Sequence, residues 1–156
     1  MVKFVKKIFP CEEALENPVP DAPEIPVVSV VSAALVDTDG RVLLAQRPED
    51  KIMSGLWEFP GGKVETGEIP EYALVRELQE ELSIETRPCC FSPLGFVSHS
   101  YDDFHLVMTL YACRFWKGIP TSSEGQALKW VMPTEIYNYP MPDANQGLLP
   151  FVQERL

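Results

Sequence analysis

The first clear hydrophobic pattern in the chain is an apolar, valine-rich run at residues 27–36. It ends at the polar residues 37–40 (Asp-Thr-Asp-Gly), and a second short apolar run follows at residues 41–46. Short β-branched runs separated by Asp and Gly are typical of strands joined by a turn. The pattern therefore predicts a β-hairpin, in which Gly40 supplies the positive φ that the turn needs.

The second half of the chain predicts another hairpin followed by a strand and two helices. Residues 91–100 and 104–116 are strand-like runs on either side of a polar turn at residues 101–103. The remaining elements are a strand at residues 127–132, a short helix beginning at residues 133–135 and a terminal helix at residues 146–155. Mixed strands interrupted by a helix and closed by another indicate an α+β, layered domain.

Between the two hairpins lies a helix that should begin near Pro70, since proline suits the first helical turn. The preceding segments, residues 48–53 and 58–67, are predicted to be loops. Val75, Leu78 and Leu82 recur at helical spacing and are expected to face the core.

The opposite side of this helix carries Glu77, Glu80 and Glu81. Residues three and four apart share one face of a helix, and like charges there cost about 0.2–0.5 kcal/mol per pair. A positive partner should therefore compensate them. Mg²⁺ suits this task because it prefers oxygen ligands and keeps water and substrate phosphates in its other positions.

Composition narrows the class of protein. A chain of 156 residues is expected to form one domain, and a net charge of −10 offers no basic surface for duplex nucleic acid. No stretch approaches the roughly 18 apolar residues of a membrane span. The four cysteines (Cys11, Cys89, Cys90 and Cys113) lack metal-site spacing and are expected to be reduced thiols. These features favour a cytoplasmic protein without membrane partners, which we expect to be a monomer.

Residues 1–26 differ from the rest of the chain. Prolines recur there at positions 10, 18, 20, 23 and 26, and this composition predicts an extended or loosely docked N-terminal arm. The folded domain should then comprise residues 27–156.

Residues 62–84 carry a long, gapped pattern of glycine, glutamate and arginine. Its fixed positions are Gly62, Glu68, Arg76, Glu77, Leu78, Glu80, Glu81 and Ile84. This pattern resembles the Nudix box of the Nudix hydrolases, with Ser83 in place of the family's glycine. Because a glycine there would end the helix in a left-handed conformation, serine costs about 1 kcal/mol. We expect that cost to bear on local stability more than on chemistry.

The resemblance implies a fold, a reaction and a set of residue roles. The fold is a mixed sheet sandwiched between helices, and the reaction is hydrolysis of a nucleoside diphosphate linkage with Mg²⁺, or Mn²⁺ as a substitute. Glu77, Glu80 and Glu81 match the metal-binding glutamates, and the carbonyl of Gly61 or Gly62 is an expected further ligand. One glutamate also acts as base on the attacking water. Glu77 and Glu80 are both candidates.

Other positions in the box match supporting roles. Glu68 and Arg76 resemble structural members, since an arginine–carboxylate pair would orient the loop against the helix. Lys63 either meets a substrate phosphate or is simply solvated.

Residues 56–63 (Leu-Trp-Glu-Phe-Pro-Gly-Gly-Lys) extend the resemblance to MutT-type enzymes, which hydrolyse oxidised purine nucleotides. The likeness implies nucleotide contacts for Arg47, Glu58 and Phe59, although Phe59 could equally be core. Glu124 matches a distant carboxylate that approaches the metal site, or else is one acidic residue in a polar turn. Asn145 matches the residue that reads the purine edge, or else caps the terminal helix.

These roles indicate an enzyme that converts a nucleoside triphosphate to the monophosphate and pyrophosphate, with 8-oxo-dGTP as the favoured substrate. Three alternatives remain open. The first is a relative acting on CTP, methylated dCTP or another nucleotide. The second is an RNA 5′-pyrophosphohydrolase, which would need a basic groove. The third is a non-catalytic nucleotide-binding module, which would not need the glutamates.

Overall fold

The computed structural model describes residues 14–19, 21–22 and 24–156. Within them, two short 3-10 helices lie at Pro88–Cys90 and Pro133–Asn138. The strands are β1 (Val27–Leu35), β2 (Val42–Gln46), β3 (Trp57–Glu58), β4 (Gly61–Lys63), β5 (Phe91–Ser100), β6 (His105–Cys113) and β7 (Leu128–Val131). The α-helices are α1 (Pro70–Leu82), α2 (Asp143–Gln146) and α3 (Leu149–Arg155).

The strands form two sheets, ordered β4-β1-β6-β5 and β3-β2-β7. Strand β1 runs parallel to β6 along its whole length and antiparallel to β4, while the other pairs are antiparallel. The larger sheet is therefore mixed, as expected.

Helices cover both faces of the strands. Val31, Ala33 and Leu35 of β1 share a buried cluster with α1, whereas Ala34 lies in a second cluster with residues of α3 such as Val152. This alternation follows from the two-residue period of a strand. The predicted α+β sandwich is confirmed.

The first predicted hairpin is only partly correct. Gly40 has a φ of 79° and the turn forms, but only one bridge, Val36 to Val42, joins the two runs. Strands β1 and β2 then diverge into different sheets. The reason is that both edges of β1 are already paired, to β4 and to β6, which leaves no edge for β2.

Two boundaries also differ from the prediction. Residues 58–67, expected to be a loop, include the end of β3 and the whole of β4. The terminal helix begins at Leu149, after the separate short helix α2. The second hairpin is confirmed, with a register shift between Pro93 and Gly95, but its second strand ends at Cys113 and not at residue 116.

Helix α1 follows its sequence pattern closely. Pro70 lies in the first turn, and Leu78 and Leu82 are fully buried. Val75 is half-buried against the same cluster. Ser83 ends the helix in the left-handed conformation (φ 56°, ψ 31°), and its N–H donates to the Gln79 carbonyl. The serine thus occupies the conformation expected of the family's glycine.

The N-terminal segment is described only in part, because residues 1–13, 20 and 23 of the predicted arm lie outside the described residues. Leu15 and Val19 are 86% and 93% exposed. Cys89, Cys90 and Cys113 are free thiols, and Cys11 lies outside the described residues. None of the described helices is long and apolar enough to cross a membrane.

Candidate active site

The site is built where β4 passes the glutamate face of α1. The Gly61 N–H donates to Glu81 Oε2 over 3.2 Å. A Cβ at Gly61 would overlap the backbone of β1 at the Val31 carbonyl oxygen, and a Cβ at Gly62 would overlap the Glu77 carboxylate. Two adjacent glycines therefore let the strand lie against both β1 and the helix carboxylates.

Arg76 holds the loop and the helix together. Its Nε and Nη2 each donate to a Glu68 carboxylate oxygen at 2.9 Å, and Nη2 also bonds the Lys63 carbonyl at 3.1 Å. Its Nη1 lies 2.7 Å from Glu77 Oε1 and 3.6 Å from Glu80 Oε2. The hydrogen bonds from Arg76 lower the pKa of Glu68 to about 2. This bidentate pair is the geometry that the expected structural role requires.

Glu81 lies at the centre of the negative charge. Burial, together with the charges of Glu58, Glu77 and Glu124, raises its pKa to about 8 against the opposing Gly61 hydrogen bond. The structure therefore brings together residues separated by up to 66 positions (124 − 58) in the sequence. A strongly raised pKa of this kind is typical of functional sites.

The carboxylates fit a hard divalent cation by their chemistry. Among the described residues no three His, Cys, Asp or Glu side chains are gathered closely enough to hold a metal ion. Each carboxylate instead faces a positive or N–H partner: Glu77 faces Arg76, Glu81 faces the Gly61 amide, and Glu124 faces Lys51. Carboxylate oxygens are ligands that Mg²⁺ prefers, and a bound ion would take the place of these partners.

The raised pKa of Glu81 predicts that the metal-free protein loses stability as pH rises. Between the ordinary value of 4.5 and about 8, the folded state keeps a proton that the unfolded state has released. The free energy of unfolding should therefore fall with rising pH, by a few kcal/mol at most (about 1.4 kcal/mol per unit). Urea denaturation in EDTA at pH 5.5, 7 and 8.5 measures it.

Glu81→Gln, which cannot ionise, is the control and should lose less stability over the same range. If Mg²⁺ binds the folded chain, adding it at pH 8.5 should restore part of the loss in the wild type, because a ligand of the folded state stabilises it. An identical pH dependence in wild type and variant would contradict the prediction.

A second group of predicted residues surrounds Arg47 and Glu58. Arg47 Nη1 lies 3.0 Å from Glu58 Oε2, and burial raises the pKa of Glu58 despite the opposing charge of Arg47. The Arg47 Nε is buried without a hydrogen-bond partner among the described residues. Phe59 is 4% exposed and packs in the core. Its environment thus accords with the core alternative.

Asn145 and Lys63 have different surroundings. Asn145 is 4% exposed inside α2, and its side chain makes no hydrogen bond with any described residue. Neither α2 nor α3 has a side-chain cap, so Asn145 does not cap the terminal helix. Lys63 is exposed, and its side chain has no partner in the described part of the chain.

One charged contact near the site was not anticipated. Lys51 Nζ lies 3.5 Å from Glu124 Oε2 and joins two loops 73 positions apart. The sequence offered no signal beyond a lysine in a polar loop, since loop-to-loop contacts leave no periodic pattern.

An α+β sandwich with carboxylates on one helix, a glycine-lined strand and an arginine clamp is the arrangement that the resemblance to the Nudix box implies. The NUDIX domain model matches residues 31–150, and the chain belongs to the Nudix family.

Known proteins agree with this assignment. The chain is 40% identical to an 8-oxo-dGTP diphosphatase of Proteus vulgaris over 62% of its own length and 84% of the relative's. It is 41% identical to a CTP pyrophosphohydrolase of Escherichia coli, over 76% and 87% of the two chains. The solution structure of the E. coli ORF135 protein superposes with a TM-score of 0.75 at 34% identity, covering 86% and 94%. The chain is therefore a Nudix hydrolase with pyrophosphohydrolase activity on nucleotides.

Proposed function

We propose that this enzyme uses Mg²⁺, with Mn²⁺ as a substitute, to hydrolyse 8-oxo-dGTP to the monophosphate and pyrophosphate. The observation that carries the proposal is the unpaired side-chain amide of Asn145, which is 4% exposed. The 8-oxo-dGTP diphosphatase of Proteus vulgaris, at 40% identity, supports the same substrate class.

Asn145 is well suited to read a base edge. Its amide offers two donors and an acceptor, so one side chain can both donate to and accept from a purine edge. The buried, unpaired Nε of Arg47 supplies a second donor for the nucleotide.

The carboxylates would hold the metal ion. Glu77, Glu80, Glu81 and Glu124, with the carbonyl of Gly61 or Gly62, form the proposed ligand set. A bound Mg²⁺ would neutralise the negative charge of the substrate phosphates.

Glu80 is the better candidate for the base that takes a proton from the attacking water. Its side chain is 61% exposed, and its contact with Arg76 is long at 3.6 Å, so the side chain is free to reorient. Glu77 is 16% exposed and bonded to Arg76 at 2.7 Å, which holds its carboxylate in place. Lys63 is exposed at the end of β4, and its proposed role is to contact a substrate phosphate.

Replacing Asn145 with alanine tests the substrate assignment. The variant should lower kcat/KM for 8-oxo-dGTP by roughly 10- to 100-fold, the loss expected when a purine-edge hydrogen bond is removed from a buried site. Steady-state pyrophosphate release with Mg²⁺ measures it, and Asn138→Ala, at an exposed position, is the matched control. Unchanged turnover of 8-oxo-dGTP in Asn145→Ala would rule out the reading role.

A pyrimidine substrate is the second candidate. It is favoured by the CTP pyrophosphohydrolase relative, which matches a larger share of this chain (76%) than the diphosphatase relative does (62%). Comparing kcat/KM for 8-oxo-dGTP, dGTP, CTP and dCTP decides between them. A strong preference for 8-oxo-dGTP supports our proposal, and equal or faster turnover of CTP overturns the substrate while leaving the reaction intact.

Three further expectations remain predictions. They are the boundary between the N-terminal arm and the domain, the monomeric state and the cytoplasmic location.

A further inference from the structure

The loop that carries Glu124 is bonded to the end of the helix that carries the other glutamates. The Thr121 N–H donates to the Leu82 carbonyl at 3.0 Å, and the Ser123 N–H donates to the Glu81 carbonyl at 2.9 Å. Carbonyls in the last turn of a helix have no intrahelical partner, so the loop satisfies them. These bonds fix the loop as far as Ser123.

Glu124 itself is less firmly held. Its side-chain contact is the 3.5 Å pair with Lys51, in which both side chains are 53% exposed, and such pairs stabilise little. Gly125 follows with a φ of 74°, a conformation that favours glycine. The loop is held on both sides of Glu124, because the Gln126 N–H donates to Ser122 Oγ at 2.7 Å, and a contact to Ser123 would hold the residue next to Glu124.

Ser83 provides that contact. Its Oγ lies 3.3 Å from the Oγ of Ser123, and the two hydroxyls can share a hydrogen bond across 40 positions of sequence. Ser83 reaches this place in a left-handed conformation that glycine would adopt without strain. A glycine there would relieve the strain and remove the hydroxyl.

We propose that Ser83 is a positioning residue, whose hydroxyl acts through Ser123 to hold Glu124 near the glutamates of α1. The inference rests on the proposed function, and specifically on Glu124 as a metal ligand. It also changes the interpretation of Ser83, since the residue then bears on chemistry and not on local stability alone.

The test combines stability, turnover and metal binding. Ser83→Ala and Ser123→Ala should each lower kcat and weaken Mn²⁺ binding by roughly two- to fivefold, as loss of one solvent-exposed hydrogen bond predicts. Isothermal titration calorimetry with Mn²⁺ alone measures the binding. Ser123→Thr keeps the hydroxyl and should restore both quantities.

Ser83→Gly separates positioning from structure. This variant should raise Tm, because the left-handed strain is relieved, while lowering kcat and Mn²⁺ affinity like Ser83→Ala. In a Glu124→Gln background, adding Ser83→Ala should have no further effect, since the two changes act on one contact chain.

The outcomes distinguish this inference from the proposed function. If Glu124→Gln weakens Mn²⁺ binding but both serine-to-alanine variants match the wild type, the positioning role is wrong and the metal role of Glu124 stands. If Glu124→Gln itself matches the wild type, the metal role of Glu124 fails and the inference fails with it. In either case the proposed hydrolysis of nucleotides would still stand, because it is measured on the wild type.

Discussion

Glu80→Gln is expected to reduce kcat/KM for the nucleoside triphosphate by roughly two to four orders of magnitude, with Tm within a few degrees of the wild type. The substitution keeps the size of the side chain and removes its charge, so it removes both a proposed metal ligand and the preferred base. The fold depends little on this side chain, because it is 61% exposed and lies 3.6 Å from Arg76. Pyrophosphate release and thermal unfolding measure the two effects.

Glu80 gives a clearer test than its neighbour Glu77. Glu77→Gln would also disturb the 2.7 Å pair with Arg76, so a loss of rate could come from the clamp. Glu85→Gln is the matched control, since this exposed carboxylate is paired with Lys117 at 3.5 Å. It should retain wild-type turnover. Near-wild-type turnover in Glu80→Gln, with Glu77→Gln inactive, would transfer the base role to Glu77.

Local patterns were sufficient to predict most of the elements. Valine-rich runs, the Asp-Gly turn and the helical spacing of Leu78 and Leu82 are properties of neighbouring residues, and these elements formed where expected. The partner of a strand is not a local property. The apolar run predicts a strand at β1, but not that it lies parallel to β6, whose residues begin 78 positions later (105 − 27).

The site shows the same division between local and long-range information. Helical geometry alone predicts that Glu77, Glu80 and Glu81 share a face. The contact of Glu81 with the Gly61 amide depends on how closely β4 approaches the helix, which follows from tertiary packing. The unpaired amide of Asn145 could not be foreseen either, because its burial depends on where α2 packs.

Changing each of the two glycines of β4 to alanine should have a different main effect, which is loss of stability at Gly61 and loss of activity at Gly62. At Gly61 the added methyl would overlap the backbone of β1 at Val31, which cannot move without breaking the pairing of the two strands. We expect Gly61→Ala to lower the free energy of unfolding by about 3 kcal/mol, the upper part of the range for overpacking. In a chain of this size Tm should then fall by about 10 °C.

At Gly62 the added methyl would instead meet the Glu77 carboxylate, the far end of a side chain. Displacing it would disturb the 2.7 Å pair with Arg76 but no strand pairing, so Tm should fall less in Gly62→Ala than in Gly61→Ala. The displacement would misplace a proposed metal ligand, and kcat/KM should fall by roughly 100-fold, as when a reacting group is moved by about 1 Å. Denaturation and turnover of both variants, measured side by side, form the test. Comparable loss of stability in the two would show that Gly62 serves strand packing, and that the close approach of β4 to Glu77 does not shape the catalytic site.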